Sequence, residues 1–273
     1  MERIQWDDLP GSLKNAISVR TGPITTGHAV ADGMNSPLAA VIDTETAKVF
    51  VKGLPSGHRQ AKTQLREAAA APMVKGISPE LLWQFDEAGW NVLGFAHLEG
   101  RAADYRPGSP DLELIINLMA TLAAVEVPNG HEPVKYAEDR WKSYVDDPRD
   151  AEVLAGPSLI HTDWMPDNVL ISGGRAWLVD WAWATLGAAW IDPACWLLRL
   201  MAHGHTAEQA EALARRLPAY ATADPAHVDV FAHANVSMWT EIDEQHNREN
   251  TAAVWITTIA RAARRWAQHR GVL

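Results

Sequence analysis

Apolar and polar positions change their period along this chain, and the change divides it in two. Ile24–Val30, Leu38–Ile42 and Lys48–Lys52 are short apolar runs. They are separated by segments of turn composition, Ala31-Asp32-Gly33-Met34-Asn35-Ser36-Pro37 and Asp43–Thr46. That spacing predicts strands, the last two as an antiparallel pair. Leu81–Phe85 and Trp90–Leu98 predict two more, joined at Glu87-Ala88-Gly89. Two helices accompany them. Trp6–Arg20 has Pro10 early and Gly22 just past its end, and Gln60–Ala71 is rich in Ala, Gln, Glu and Lys before Pro72.

From Ser109-Pro110 onward the pattern is helical. Pro110 opens a long apolar helix over Leu112–Val125, and helices follow over Ala207–Leu217, Val228–Glu244 and Ala252–Gln268. The exception is Leu159–Asp180, where Val169–Ile171 and Trp177–Val179 flank Gly173-Gly174 as strand-like runs. The composition shifts near Glu99–Pro110. We therefore expect an α+β, two-lobed fold: residues 1–98 as a β-rich N-lobe with one helix in its sheet, and 99–273 as a helical C-lobe. Nucleotides can bind in the cleft between such lobes.

Composition narrows the function classes. With 273 residues and a formal charge of −10, the chain is a poor partner for nucleic acid, whose phosphates select basic surfaces. The charge fits a cationic partner. Cys195 is the only cysteine, so no intramolecular disulfide and no cysteine metal cluster can form; it is expected as a small buried apolar residue. Most of the 13 Trp are expected in the core. No apolar run approaches the roughly 20 residues of a membrane span, and Met1–Asp8 carries acids without an apolar stretch. These features predict a cytoplasmic monomer or homodimer with no membrane partner.

The chemistry concentrates in Leu159-Ile160-His161-Thr162-Asp163-Trp164-Met165-Pro166-Asp167-Asn168, followed by Leu178-Val179-Asp180-Trp181. An apolar strand delivers His161 and Asp163 into a loop, Asn168 opens a second strand and Asp180 ends a third. Phosphoryl transfer needs these parts: a carboxylate to accept the acceptor's hydroxyl proton, and two hard oxygen ligands for Mg²⁺ on the nucleotide phosphates. Asp163 is the candidate base; Asn168 and Asp180 are the candidate metal ligands. His161 reads better as a hydrogen-bonded loop anchor than as a proton-transfer group.

The motif His-x-Asp-x-x-x-x-Asn, then an apolar strand ending in Asp180-Trp181, resembles the protein-kinase-like superfamily, and within it the aminoglycoside phosphotransferases and related antibiotic and small-molecule kinases. Thr162 stands where that family usually has Gly. Gly187 followed by Asp192-Pro193-Ala194 resembles the family's next landmark, with Asp192 in a structural role. The resemblance implies that Lys52 reaches the α- and β-phosphates of ATP (GTP being the alternative) and pairs with Glu67. It implies that Phe50, on the same strand face as Lys52, is the adenine platform. Gly33, Asn35 and Ser36 would meet phosphates in the turn before Pro37, and Ala96 and Leu98 would hold the adenine by main-chain bonds.

The expected activity is transfer of the γ-phosphoryl group to a hydroxyl of a small molecule. Only eleven residues separate Asp180 from Asp192, too few for a peptide-docking segment. An antibiotic acceptor of aminoglycoside or peptide type is expected, with Glu241, Asp243 and Glu244 as an acidic group for a cationic acceptor. A metabolite kinase of choline, homoserine or sugar type, and a nucleotide-binding pseudokinase with a regulatory role, are the alternatives.

Overall fold

The computed structural model describes residues 3–30, 36–128, 134–249 and 254–273. The apolar runs of the first part are realised as one antiparallel sheet of β1 (Ile24–Ala29), β2 (Leu38–Thr44), β3 (Lys48–Pro55), β4 (Leu81–Glu87) and β5 (Trp90–Ala96), in the order β1-β2-β3-β5-β4. Its two faces have different tasks. Val49 and Val51 of β3 pack with Leu38, Ile42 and Val92, beneath Leu13 and Ile17 of α1 (Gly11–Thr21). Phe50 and Lys52, one pleat out of phase, face the other way. There α2 (Ala61–Ala70) lies, with Glu67 buried beside Lys52.

The helix expected over Trp6–Arg20 begins only at Gly11. Pro10 has no N–H to donate and starts the helix, and Trp6–Asp8 form a separate 3-10 turn. Trp6 lies flat on β1 at Gly27, where a Cβ would stand 2.4 Å from the indole.

The second part is helical but carries more β-structure than its sequence suggests. β6 (Arg101–Ala102), β9 (Val169–Ser172) and β10 (Arg175–Leu178) form one small sheet in the order β10-β9-β6. β7 (Lys135–Tyr136), β8 (Ser158–Ile160) and β11 (Thr185–Gly187) form another, in the order β7-β11-β8. The helices are α3 (Asp111–Ala123), α4 (Ala137–Trp141), α5 (Ile191–Ala202), α6 (Ala207–Ala214), α7 (Pro218–Ala221), α8 (Pro225–Arg248) and α9 (Val254–Arg270). The expected Ala207–Leu217 helix stops at Ala214, and Pro218 starts the next. α5 is buried on nearly all sides, Cys195 included. Among the described residues no helix is long and apolar enough to cross a membrane.

Candidate active site

The site is assembled where the helical part meets the open face of the large sheet. β8 ends at Ile160, and the chain turns sharply through Thr162, whose φ is 68°. That left-handed conformation costs a branched residue about 1–2 kcal/mol. Asp192, at the start of α5, holds the turn. Its carboxylate accepts the N–H of His161 (2.9 Å) and of Thr162 (2.8 Å). Burial pushes this carboxyl above the usual range, and the two N–H bonds work against that shift. His161 is fully buried. Its Nδ1 accepts the N–H of Asp163 (3.3 Å), which leaves Nε2 to donate to the carbonyl of Val179 (3.0 Å). His161 therefore ties the loop to the strand end that carries Asp180.

The Asp163 carboxylate stands partly exposed and meets one side-chain donor among the described residues, Arg199 of α5, at 3.5 Å. Arg199 is itself buried, with its guanidinium 5.0 Å from the ring centre of Trp239 and 5.9 Å from that of Trp255. Asn168 donates from Nδ2 to the main-chain carbonyl of Asp163 (2.9 Å), so its Oδ1 is the atom left for a ligand. Asp180 also has a left-handed backbone (φ 63°) and receives Lys52.

Lys52 is the electrostatic centre. Its Nζ lies 2.9 Å from Glu67 Oε2 and 2.8 Å from Asp180 Oδ1. Burial alone would lower this amine; Asp180 and Glu67 outweigh burial and hold it well above its ordinary value. Burial likewise raises Glu67, and Lys52 offsets only part of the shift. For Asp180, desolvation pushes upward, but the charge and hydrogen bond of Lys52 bring the carboxyl below its usual range. One cation thus links the sheet, α2 and the Asp180 end of the β9–β10 segment.

These groups open on a cavity of about 390 Å³. Of the residues expected at the nucleotide site, Ser36, Phe50, Lys52, Glu67, Ala96, Leu98, Asn168 and Asp180 all line it. Gly33 and Asn35 lie outside the described residues. Ser36 Oγ is buried without a hydrogen-bond partner among the described residues, an orphan that a ligand oxygen would satisfy. The Ala96 N–H is taken by the carbonyl of Glu80 (2.8 Å), so it is not the donor that would meet a base. Val41 and Phe95 flank Phe50 in register on the neighbouring strands and line the same cavity. Sequence reading missed them because cross-strand register is not written in either strand alone.

The acidic trio on α8 is dispersed. Asp243 accepts from Thr257 Oγ1 (2.6 Å), Glu244 lies 3.6 Å from Arg248, and Glu241 is exposed. None of the three lines the cavity. Sequence reading also missed Arg199 and Arg140. Each is a cation inside an apolar helix or a Trp-flanked segment, and that placement was the available signal.

Residues 95–231 match the model of the phosphotransferase enzyme family. The chain belongs to this family. That span begins at the end of β5 and contains the Asp163 loop, Asn168, Asp180 and Asp192. No curated protein matches the chain in sequence. Among solved structures, this phosphotransferase resembles a choline kinase from Streptococcus pneumoniae, at TM-score 0.67 and 15% identity over 94% of this chain and 98% of that one. It also resembles an aminoglycoside phosphotransferase solved with AMP-PNP and hygromycin B, at TM-score 0.64 and 14% identity over 94% and 99%. A choline/ethanolamine kinase family protein from Mesorhizobium loti gives TM-score 0.56 and 18% identity over 94% and 90%. At these identities the likeness concerns the fold, which is the expected kinase-like two-lobed one with the site in the cleft.

Proposed function

We propose that this phosphotransferase moves the γ-phosphoryl group of ATP to a hydroxyl of a small molecule, with Asp163 as base. The observation that carries the reading is Lys52, bonded at once to Glu67 and to Asp180, 128 positions away in sequence. A lysine fixed this way is aimed into a cavity whose phosphate end also holds Ser36, Asn168 and Asp180. Phe50, flanked by Val41 and Phe95, supplies an apolar face for the base of the nucleotide. Lys52 and Ser36 bind its phosphates. Glu67 fixes the direction of Lys52. Asp163, carried clear of the sheet by the Asp192-braced turn, takes the proton of the acceptor hydroxyl.

A magnesium ion fits the donor set. Asn168 Oδ1 and the second oxygen of Asp180 are hard donors. Among the described residues no group of three or more His, Cys, Asp or Glu could hold a metal alone, so phosphate oxygens and water would complete the shell. When bound, the ion would neutralise charge on the nucleotide phosphates.

For the acceptor, the reading remains an antibiotic of aminoglycoside or peptide type. Among the described residues Glu241 makes no hydrogen bond or ion pair, whereas Asp243 and Glu244 have partners, so Glu241 is the acid of the three open to a cationic group. The short span between Asp180 and Asp192 supports a small acceptor over a peptide segment. A coupled ADP-release screen across aminoglycosides, peptide antibiotics, macrolides, nucleosides and amino alcohols tests this. Acceptor-dependent ADP release that disappears in Asp163→Asn is the expected result. Nucleotide binding with no acceptor-dependent release from any class would favour a regulatory pseudokinase.

A further inference from the structure

Two cations lie over Trp183 and a third lies beside it, none of them bonded to an acid among the described residues. Lys135 Nζ lies 4.2 Å from the Trp183 ring centre, and the Arg140 guanidinium carbon lies 4.9 Å from it. Arg66 Nη1 donates to the carbonyl of Ala182 next door (3.1 Å). Arg140 is fixed by hydroxyls: Nη1 donates to Thr162 Oγ1 and, at 3.3 Å, to Thr185 Oγ1. Every contact these three side chains make among the described residues is to a neutral group. In a chain with 34 acids against 24 Lys and Arg, three neighbouring cations without a carboxylate partner among the described residues are unexpected.

The electrostatics agree. Burial first, then Arg140 and Arg66, lower the Lys135 amine to about 8, and among the described residues no carboxylate acts on it. Burial lowers Arg66, again with no acid in support. Arg140 is lowered by burial as well, although Asp163 and Asp192 act in its favour. Like charges held together in a half-buried place are relieved by an anion.

We propose that Arg66, Lys135 and Arg140, gathered around Trp183, form an oxyanion-binding site that takes a phosphate or carboxylate group. None of the four residues lines the nucleotide cavity, so this site is separate from the one Lys52 serves, and the inference stands without the ATP reading. Forked guanidinium groups suit such oxygens, and the ammonium adds a point charge. Position gives the site a consequence. Arg66 precedes Glu67 on α2, and Arg140 holds Thr162, which precedes Asp163. An occupant would join the helix that braces Lys52 to the loop that carries Asp163. It also gives Thr162 a reason: Gly would suit the left-handed backbone, but it would lack the hydroxyl that accepts from Arg140.

Thermal melting of the full chain in sodium phosphate, against sodium chloride at matched ionic strength, tests the site. Wild type, Arg66→Gln and Lys135→Met are compared, each with and without saturating Mg·AMP-PNP. We expect a saturable phosphate-specific rise in wild type that persists with the nucleotide present. In each variant the apparent phosphate affinity should weaken about tenfold or more, the loss of one charge-assisted hydrogen bond. In chloride alone, Lys135→Met should melt no lower than wild type, because it removes repulsion. A wild-type response no greater than chloride's, or an undiminished response in both variants, overturns the proposal. A missing AMP-PNP shift alongside a retained phosphate response would instead count against the nucleotide reading. The source of the anion is read in the transfer assay with an acceptor from the screen. Phosphate that raises the acceptor's KM points to an anionic group on the acceptor; phosphate that changes kcat at constant KM points to a free oxyanion.

Discussion

Lys52→Met is the perturbation that reaches furthest into the site. It leaves Glu67 and Asp180 facing each other without the cation between them. The Lys52 and Glu67 side chains are 9% and 5% exposed, so this is a buried pair, and breaking one typically costs about 3–5 kcal/mol. For a chain of this size, about 2–4 °C per kcal/mol converts that to a fall in melting temperature of roughly 6–20 °C. Protonation trims the loss. Glu67 already lies above the ordinary carboxylate range through burial, and without Lys52 it rises further. A carboxyl raised in the folded state contributes its stability in full below its unfolded pKa and loses it as pH rises from there through its folded pKa. The deficit of Lys52→Met against wild type should therefore shrink as pH falls from 8 to 5. Nucleotide affinity should drop about 10- to 150-fold, corresponding to about 1.5–3 kcal/mol for a hydrogen bond to a charged group.

The double variant Lys52→Met/Glu67→Leu separates structure from function. Replacing a buried pair by apolar groups is often neutral or stabilising, so most of the melting temperature should return while phosphoryl transfer does not. Melting curves from pH 5 to 8, AMP-PNP titration and ADP release read the three quantities. Lys52→Met melting within about 2 °C of wild type at pH 8, or a double variant that recovers transfer as well as stability, would refute the reasoning.

Other consequences are open to direct measurement. Asp163→Asn should lower transfer about 10²- to 10⁴-fold and leave Mg·AMP-PNP affinity unchanged, checked by steady-state kinetics and calorimetry. Thr162→Gly removes about 1–2 kcal/mol of backbone strain together with the hydroxyl that holds Arg140, so its melting temperature should stay near that of wild type. Thr162→Val keeps the strain and leaves Arg140 without that acceptor, and should cost about 1–3 kcal/mol by denaturant unfolding. Lys135 releases its proton near pH 8 in the folded chain, whereas the unfolded chain holds it to about 10.4. Wild type should therefore gain stability relative to Lys135→Met between pH 7 and 10, measured as the difference in unfolding midpoint.

Part of this protein was legible before any coordinates. Short apolar runs bounded by turn-forming segments in residues 24–98 marked the strands of the large sheet. Phe50 and Lys52 could be placed on one face by parity alone, and the His161–Asn168 segment announced phosphoryl-transfer chemistry because its spacing between apolar runs is short and local. Elements of two or three residues, such as β6, β7 and β11, left no mark. Their partners are distant in sequence, and so short a run has no period to detect.

What the sequence alone determined was the inventory and its local order: which carboxylates, amides and lysine stand at the ends of which strands. Tertiary structure decided which of them meet. That Lys52 touches Asp180, that Asp192 braces the turn at Thr162, and that Arg199 lies against Asp163 depends on packing between segments far apart along the chain. The same packing gave Asp243 and Glu244 of α8 neighbours of their own and brought Lys135 and Arg140 over one indole with Arg66 beside it. Charges act through space and are weighted by burial. A pattern along the chain records neither the distance nor the burial until the fold has set both.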